Sequence, residues 1–420
     1  MLQGDLFKTG RYDPNAYPAL APSVDREQAH SGYDGGYLQA RWTRNTSADS
    51  ESVVQFSYDR SNLHYPWLDA DLHNLTLDFQ KRVHTGERNE IYWGAGYQQY
   101  WDNTVSTRFT GFNPISEVFR SADVVLRDEW QMLPDRLLLS AGVRFDYISY
   151  HDLEYQPSLR LLYTPKASQS AWVAVSRAVR TPNRADRDIV FDPGSEVVFG
   201  LPVAMTNLGS KSMRSEVAKT AEAGYRFQSG QRWSVDTSVF WNQYRRLRSV
   251  DYSLTPELVF SQSGVYAWIP MRMANSGAGR SYGGDASATV QLRPGWRLIP
   301  SYSYLDDERW LPAPSPTYAT LWEQIPADIR HQGAVRLQYD VARNLQLDLM
   351  ARARSRDRAH DLPGVLLADV RLSWHPVRSS EFAFTAHNLT DRRVFETVSE
   401  GTTPAIPIRR IFLVQWTQRF

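Results

Sequence analysis

The chain has 420 residues, 42% of them hydrophobic and 13% aromatic, with 47 Lys and Arg against 46 Asp and Glu for a formal net charge of +1. That balance supplies no bulk field to hold nucleic acid, and the absence of cysteine removes thiolate metal sites, thiol nucleophiles and disulfides. A membrane helix needs roughly 20 consecutive apolar residues, whereas the longest apolar runs here, such as Ile411 to Val414, last only a few, so any crossing of a bilayer has to be made by strands.

The opening residues, MLQGDLFKTG, have neither the basic start nor the apolar stretch of an export signal. For an exported protein the expectation is therefore a truncated sequence, with Met1 to Phe7 as the end of a strand. From Tyr33 onward the informative pattern has a period of two. A strand puts successive side chains on opposite faces, and a membrane barrel needs one face apolar and the other polar. Alternation of this kind occupies Leu75 to Phe79, Ile91 to Trp101 and Ala122 to Trp130. It continues with Leu137, Leu139, Ala141, Val143, Phe145 and Tyr147 set against Arg136, Ser140, Gly142, Arg144 and Asp146. Later runs are Trp233 to Trp241, Ala286 to Leu292 and Leu345 to Ala351.

Several runs last roughly ten residues, the length a tilted strand needs to cross a bilayer, against about five or six in soluble sandwiches. Short turns fall near Thr46–Ser50, His84–Glu87, Met132–Asp135, Pro165–Gln169, Ser229–Gln231, Arg293–Gly295, Asp340–Arg343 and Pro376–Ser380. Long loops are expected near Asn62–Ala70, Asp102–Ser116, Arg180–Arg214, Ser249–Gly279, Asp306–Asp328 and Thr390–Pro407, with shorter ones at Ile148–Glu154 and Ser355–Leu362. The fold class that follows is all-β, a transmembrane antiparallel up-and-down β-barrel. Counting gives roughly seventeen strands from Tyr33, or eighteen if the first residues complete another. Two bare edges in lipid would cost more than a net stability of about 5–15 kcal/mol, so closure has to be supplied.

The final strand, IRRIFLVQWTQRF, sets Phe412, Val414, Trp416 and the terminal Phe420 in one register. An aromatic end on an amphipathic last strand is the signal read by the barrel assembly machinery; the plainer reading is an edge strand that happens to end in Phe. The nine His are scattered without HExxH spacing, and no G-x-S-x-G elbow or P-loop occurs, so no catalysis is expected. His64, Asp69 and Asp71 are the residues of the type that hydrolases on smaller barrels use. Asp306, Asp307 and Glu308 carry oxygens of the kind Ca²⁺ takes, but a solvated acidic turn accounts for them more simply. No metal or cofactor is expected.

The segments PSLRLLYTP (Pro157–Pro165), AWVAVSRAVRTPNRADRDI (Ala171–Ile189), EAGYRF (Glu222–Phe227), RSYGGDASATVQLRPGWRLIPSYSYLDD (Arg280–Asp307) and NLTDRRVFE (Asn388–Glu396), with the final strand, resemble in order the barrel of TonB-dependent receptors. The resemblance covers nearly the whole chain, read as one partial barrel domain over residues 1–420. It implies a full barrel of roughly 22 strands filled by an amino-terminal plug, of which this chain would keep about the last seventeen. It also implies an outer-membrane receptor of a Gram-negative cell, taking up a scarce nutrient such as an iron-siderophore, haem or cobalamin. Signal peptide, TonB box and plug have no counterpart in these residues, so the TonB complex would act only through a plug not present here. Partners implied are outer-membrane lipid, the assembly machinery and a small nutrient ligand. Ligand contacts in the family lie on outer loops; the candidates are Arg180, Arg184, Asp186, Arg187, Asp188, Phe191, Trp268, Trp310 and Trp322, with His64, Tyr65 and Trp67 as further loop residues. Loop-to-loop packing is the alternative role for each. The competing functions are a passive porin-like pore of eighteen strands, a nonfunctional receptor fragment and a soluble all-β binding protein.

Overall fold

Alternating sequences of this kind bury nothing at the centre of a wall; they make two faces, and the ladder of backbone hydrogen bonds has to run sideways from strand to strand. The computed structural model describes residues 1–13, 29–47, 50–65, 67–107, 109–192, 195–230, 232–261, 264–313, 317–322, 328–395 and 407–419. The first strands are β1 (Leu2–Asp13), β2 (Ala29–Ser47), β3 (Ser50–Tyr65), β4 (Leu68–Thr85), β5 (Asn89–Val105), β6 (Thr110–Phe112), β7 (Ser116–Leu133), β8 (Leu137–Ile148), β9 (His151–Lys166) and β10 (Gln169–Arg180). A helical turn α1 (Arg184–Asp188) leads to β11 (Ile189–Phe191), β12 (Ser195–Val198), β13 (Leu201–Leu208), β14 (Glu216–Ser229), β15 (Trp233–Ser253), β16 (Glu257–Ser261) and β17 (Gly264–Arg293). The rest are β18 (Trp296–Trp310), β19 (Tyr318–Leu321), β20 (His331–Ala342), β21 (Leu345–Arg354), β22 (Val365–Val377), β23 (Ser380–His387) and β24 (Ile411–Gln418).

Eighteen of these form an antiparallel up-and-down wall, in the order β1 to β5, β7 to β10, β14, β15, β17, β18 and β20 to β24. Seventeen begin with β2, and the opening residues supply the eighteenth. Among the described residues β1 pairs only with β2 and β24 only with β23, so these two strands are the edges of the wall.

Directly opposite residues share a face, so the register carries the apolar face continuously around the wall. It runs, for example, through Val175, Ala221, Trp241 and Tyr282 on β10, β14, β15 and β17. Exposed Trp42, Trp93, Trp130, Trp233, Trp374 and Trp416 ring this face near the short-turn end. Tyr97, Tyr147, Tyr155, Trp241, Tyr282 and Tyr302 ring it nearer the other. Trp233 and Trp241 are eight residues apart on one strand, so at about 3.3 Å per residue and a tilt of about 40° the belt is roughly 20 Å tall. A soluble protein has no use for such a belt. The opposite face is wet chemistry: Arg336 Nε donates to Asp348 Oδ1 at 2.8 Å, Arg352 pairs with Asp369 at 3.0 Å and Arg371 with Glu381 at 2.8 Å across neighbouring strands.

The described short turns fall where the sequence puts them; residues 48, 49 and 231 of the expected Thr46–Ser50 and Ser229–Gln231 turns lie outside the described residues. Gly86 and Gly295 take positive φ (69° and 76°), which a side chain would resist, and Asp135 does so without being glycine (58°). At the opposite rim several expected loops are strand. Asn62–Ala70 is the tip of the β3–β4 hairpin, paired to the last residue at Tyr65↔Leu68, and much of Ser249–Gly279 belongs to β15 and β17. Their polar composition reads as loop because both faces are in water above the belt. Cross-strand pairs such as Arg60 with Asp71 (2.9 Å) nevertheless continue the ladder there.

The short strands knit this rim together. β6 pairs with β11, β11 with β13, β13 in parallel with the upper part of β17, and β15 with β19. Side chains that are fully covered, including Asp102, Asp186, Ser215 and Ser249, cluster there rather than in the wall.

An outward Val239→Arg change in mid-belt is expected to cost about 2–4 kcal/mol, and Ser238→Arg on the wet face, beside Asp285, far less. Urea unfolding of the protein in phosphatidylcholine bilayers checks this; equal costs would mean the two faces are assigned wrongly.

Candidate functional site

The site lies on the wet face at the long-loop rim. The sequence TPNRADRD makes one turn of helix because Asn183 caps it: Asn183 Oδ1 accepts from the Asp186 N–H (2.8 Å), and Asp186 Oδ2 accepts from the Asn183 N–H (3.0 Å), a reciprocal capping box. The Asp186 carboxylate also accepts from Arg180 Nη1 (3.0 Å) and Arg248 Nη1 (2.8 Å). Glu216 bridges the same two strands, pairing with Arg180 Nε at 3.2 Å and accepting from the Arg248 N–H at 2.6 Å. Asp186 thus ties α1 to β10 and β15 from a position with 1% of its surface open.

On the other side of the turn, Arg184 pairs with Asp102 of β5 (2.9 Å) and Asp188 (2.6 Å), donates to the Pro114 carbonyl, and lies over the Phe112 ring. Asp102 is held in turn by the Glu117 N–H at 3.0 Å. Arg187 stacks on Tyr150 at 4.1 Å and on Phe119 at 5.8 Å. Its Nε and Nη1 are buried with no hydrogen-bond acceptor among the described residues. Burial pushes the Tyr150 phenol above its ordinary range, so it stays protonated and donates to the Pro182 carbonyl.

Beneath the turn is a cavity of about 500 Å³, lined by Tyr100, Phe112, Phe119 and Tyr150 together with Gln98, Asp102, Arg120, Asn183 and Arg184. Aromatic faces with a few polar groups at one end form a typical small-molecule site. The acids and guanidinium groups around it are matched in sign, so the cavity offers shape and ring faces rather than a strong field.

Of the residues the sequence put forward, Arg180, Arg184, Asp186, Arg187 and Asp188 meet in this network, with Phe191 adjacent in β11, opposite Thr110. The three tryptophans do not join it. Trp268 donates to Thr206 Oγ1 at 2.9 Å within the rim sheet, Trp322 packs over Gly277, and Trp310 is an exposed end of β18. His64 pairs with Asp69 at 2.9 Å and Tyr65 stacks on Trp67 at the β3–β4 tip. Phe412, Val414 and Trp416 all point to the apolar side of β24 and are exposed; Phe420 lies outside the described residues. The Asp306–Glu308 run is strand rather than turn. Each acid has its own cation, Asp306 with Arg330 (3.0 Å), Asp307 with Arg309 (2.6 Å) and Glu308 with Arg280 (2.7 Å), and no cluster fit for a metal occurs among the described residues. Sequence reasoning missed Asp102, Tyr150, Glu216 and Arg248, which no local spacing connects to the turn. The N-x-x-D cap at Asn183 is a local signal that the reading of Arg180–Arg214 as a long loop passed over.

A second rim clamp sits between β21 and β22. Asp357 Oδ1 accepts from the Asp328 and Ala359 N–H groups (both 3.1 Å), and Oδ2 lies 2.8 Å from His360 Nδ1. Burial pushes this carboxyl up, but the His360 ring and the backbone donors outweigh it and hold it below the usual range.

Removing Asp186 by Asp186→Ala is expected to cost about 3–5 kcal/mol, the size of a broken buried ion network, and to expose residues 181–215 to protease; unchanged cleavage would show that other contacts hold the segment. For the Asp357 clamp, a lowered carboxyl pKa contributes stability that is complete above the unfolded value of about 3.9 and is lost as pH falls through the lower folded value. Hydrogen-exchange protection of residues 355–362 should hold from neutral pH to about 4 and fall only below it, while Asp357→Asn should weaken it already at neutral pH.

A family model described as TonB dependent receptor-like, beta-barrel, matches residues 3–389. No curated protein matches. Among solved structures, the ferric enterobactin receptor PfeA of Pseudomonas aeruginosa superposes with a TM-score of 0.70 at 15% identity, over 93% of this chain and 62% of its own. The siderophore receptor PirA of Acinetobacter baumannii gives 0.73 at 12%, over 93% and 63%. The ferric-catecholate import receptor Fiu of E. coli K12 gives 0.66 at 12%, over 100% and 72%. At these identities the likeness is one of fold, and the chain spans about three-fifths of the length of the first two.

Proposed function

This chain belongs to the TonB-dependent receptor family, matching the family's barrel, and on that premise we propose that it forms the outer-membrane wall of a receptor for a scarce nutrient, a ferric siderophore before haem or cobalamin. The observation that carries this is the ring-lined cavity at the outer end of a polar lumen. Tyr100, Phe112, Phe119 and Tyr150 offer π faces, which suits a chelate built from aromatic rings. The relatives named for ferric enterobactin, siderophores and ferric catecholates support that order of preference.

In this reading residues 1–420 are one barrel domain in the outer membrane of a Gram-negative cell, placed there by assembly machinery that reads the Phe412, Val414, Trp416 and Phe420 register. Coupling to TonB would run through a plug in the lumen. The family and the solved relatives are transport receptors, and no catalytic role is proposed. A passive pore is the second reading, favoured by the even count of eighteen wall strands; it requires β1 to pair with β24.

The test is uptake of radiolabelled iron, presented as a ferric catecholate, by cells expressing the protein from its own locus in a strain without other such receptors. Saturable uptake that stops when an uncoupler collapses the proton gradient, and that falls on Tyr150→Ala, is expected. Uptake that is unsaturable and indifferent to the uncoupler would instead establish the passive pore.

A further inference from the structure

Above the upper aromatic ring the outward face carries charge, and the register shows which charges are neighbours. Lys8 faces Asp34, Arg60 is bonded to Asp71 at 2.9 Å and Arg410 to Asp391 at 3.6 Å. Each of these outward cations has a carboxylate beside it. At β14 and β15 that balance fails.

One row of opposite residues there reads Arg177, Lys219, Gln243, Arg280 and Glu308 across β10, β14, β15, β17 and β18. Arg177 is satisfied by Glu154 at 2.9 Å and Arg280 by Glu308 at 2.7 Å. Lys219 faces Arg177 and Gln243; one pair further up, Arg245 faces Val217 and Ala278. Both Lys219 and Arg245 are exposed, and neither has an ion pair or hydrogen bond among the described residues. They are diagonal neighbours, so their β-carbons stand about 7–8 Å apart, a gap that two long side chains close around one phosphate.

Their height decides what phosphate that is. Gln243 is the next outward residue after Trp241, and Arg280 the next after Tyr282, both of which belong to the upper aromatic ring. Two residues along a tilted strand rise about 5 Å, which sets the pair at headgroup level. Directly below, Ala221 and Ala223 of β14 lie beside Trp241 and Val239 of β15, a low apolar floor next to a ring. We propose that Lys219 and Arg245 form a docking site on the outside of the barrel for the phosphate of an anionic lipid headgroup in the outer leaflet, with the lipid's chain lying along Ala221 and Ala223. Anionic surfaces attract each such cation with about a fivefold gain in binding, and a shared phosphate takes the place of the carboxylate that Arg60, Arg177 and Arg280 have.

The test uses the folded protein in a zwitterionic detergent, with diphosphorylated lipid A as probe and its dephosphorylated form as control, bound lipid being counted by native mass spectrometry. Tight binding of the phosphorylated form alone is expected, weakened about twenty- to thirtyfold by Lys219→Gln with Arg245→Gln and unaltered by Lys8→Gln. Heat-dependent gel mobility reports the barrel separately, so a folded double variant that loses the lipid speaks to this patch and not to the receptor reading. Equal binding of the dephosphorylated lipid, no effect of the double substitution, or displacement by millimolar inorganic phosphate, which would mark a free-anion site, overturns the proposal.

Discussion

Hydrocarbon offers no hydrogen-bond partner, so every N–H and C=O of a strand in the belt has to be answered by the strand beside it. That one requirement explains why eighteen strands follow one another as nearest neighbours, why one register faces lipid and the other a wet lumen, and why connections at one end shrink to tight turns. It also explains where burial is found. A wall of this kind has no interior of its own, and the covered residues gather where the long connections fold back over the rim.

Much of the wall was legible because its signal is local. Residues such as Leu139 to Tyr147 alternate, and a period of two has one physical reading when the runs are long enough to cross a bilayer. The rim was less legible, since above the belt both faces are solvated and the alternation vanishes while the ladder continues. Asn62–Ala70 looks like a loop for that reason, yet the ladder runs from Asn62↔Asp71 to Tyr65↔Leu68. Asp306, Asp307 and Glu308 look like an acidic turn because sequence does not display that Arg330 and Arg280 stand next to them.

The candidate site divides in the same way. The helical turn rests on a local pair, Asn183 and Asp186, that satisfy each other. Asp102, Glu216 and Arg248 lie far along the chain and have no spacing that marks them, yet they fix the turn over the cavity. Removing solvent from Asp102, Asp186, Asp188 and Glu216 is costly, and their pairing with Arg180, Arg184 and Arg248 is what makes it tolerable. The return is a shaped opening whose lining is already in place.

The rim sheet has a consequence for how this protein can vary. Connections that follow β5, β10, β15 and β18 share backbone ladders through β6, β11, β13 and β19, so none of them can gain or lose a residue inside a ladder without shifting the register of another. Tolerance of altered length is left to the tips that pair with nothing. The Phe199–Gly200 turn between β12 and β13 is one, with positive φ at both residues and the phenylalanine fully in solvent. Insertions, epitope grafts and natural divergence in this mouth are channelled to such tips, while its interlocked bases keep their lengths.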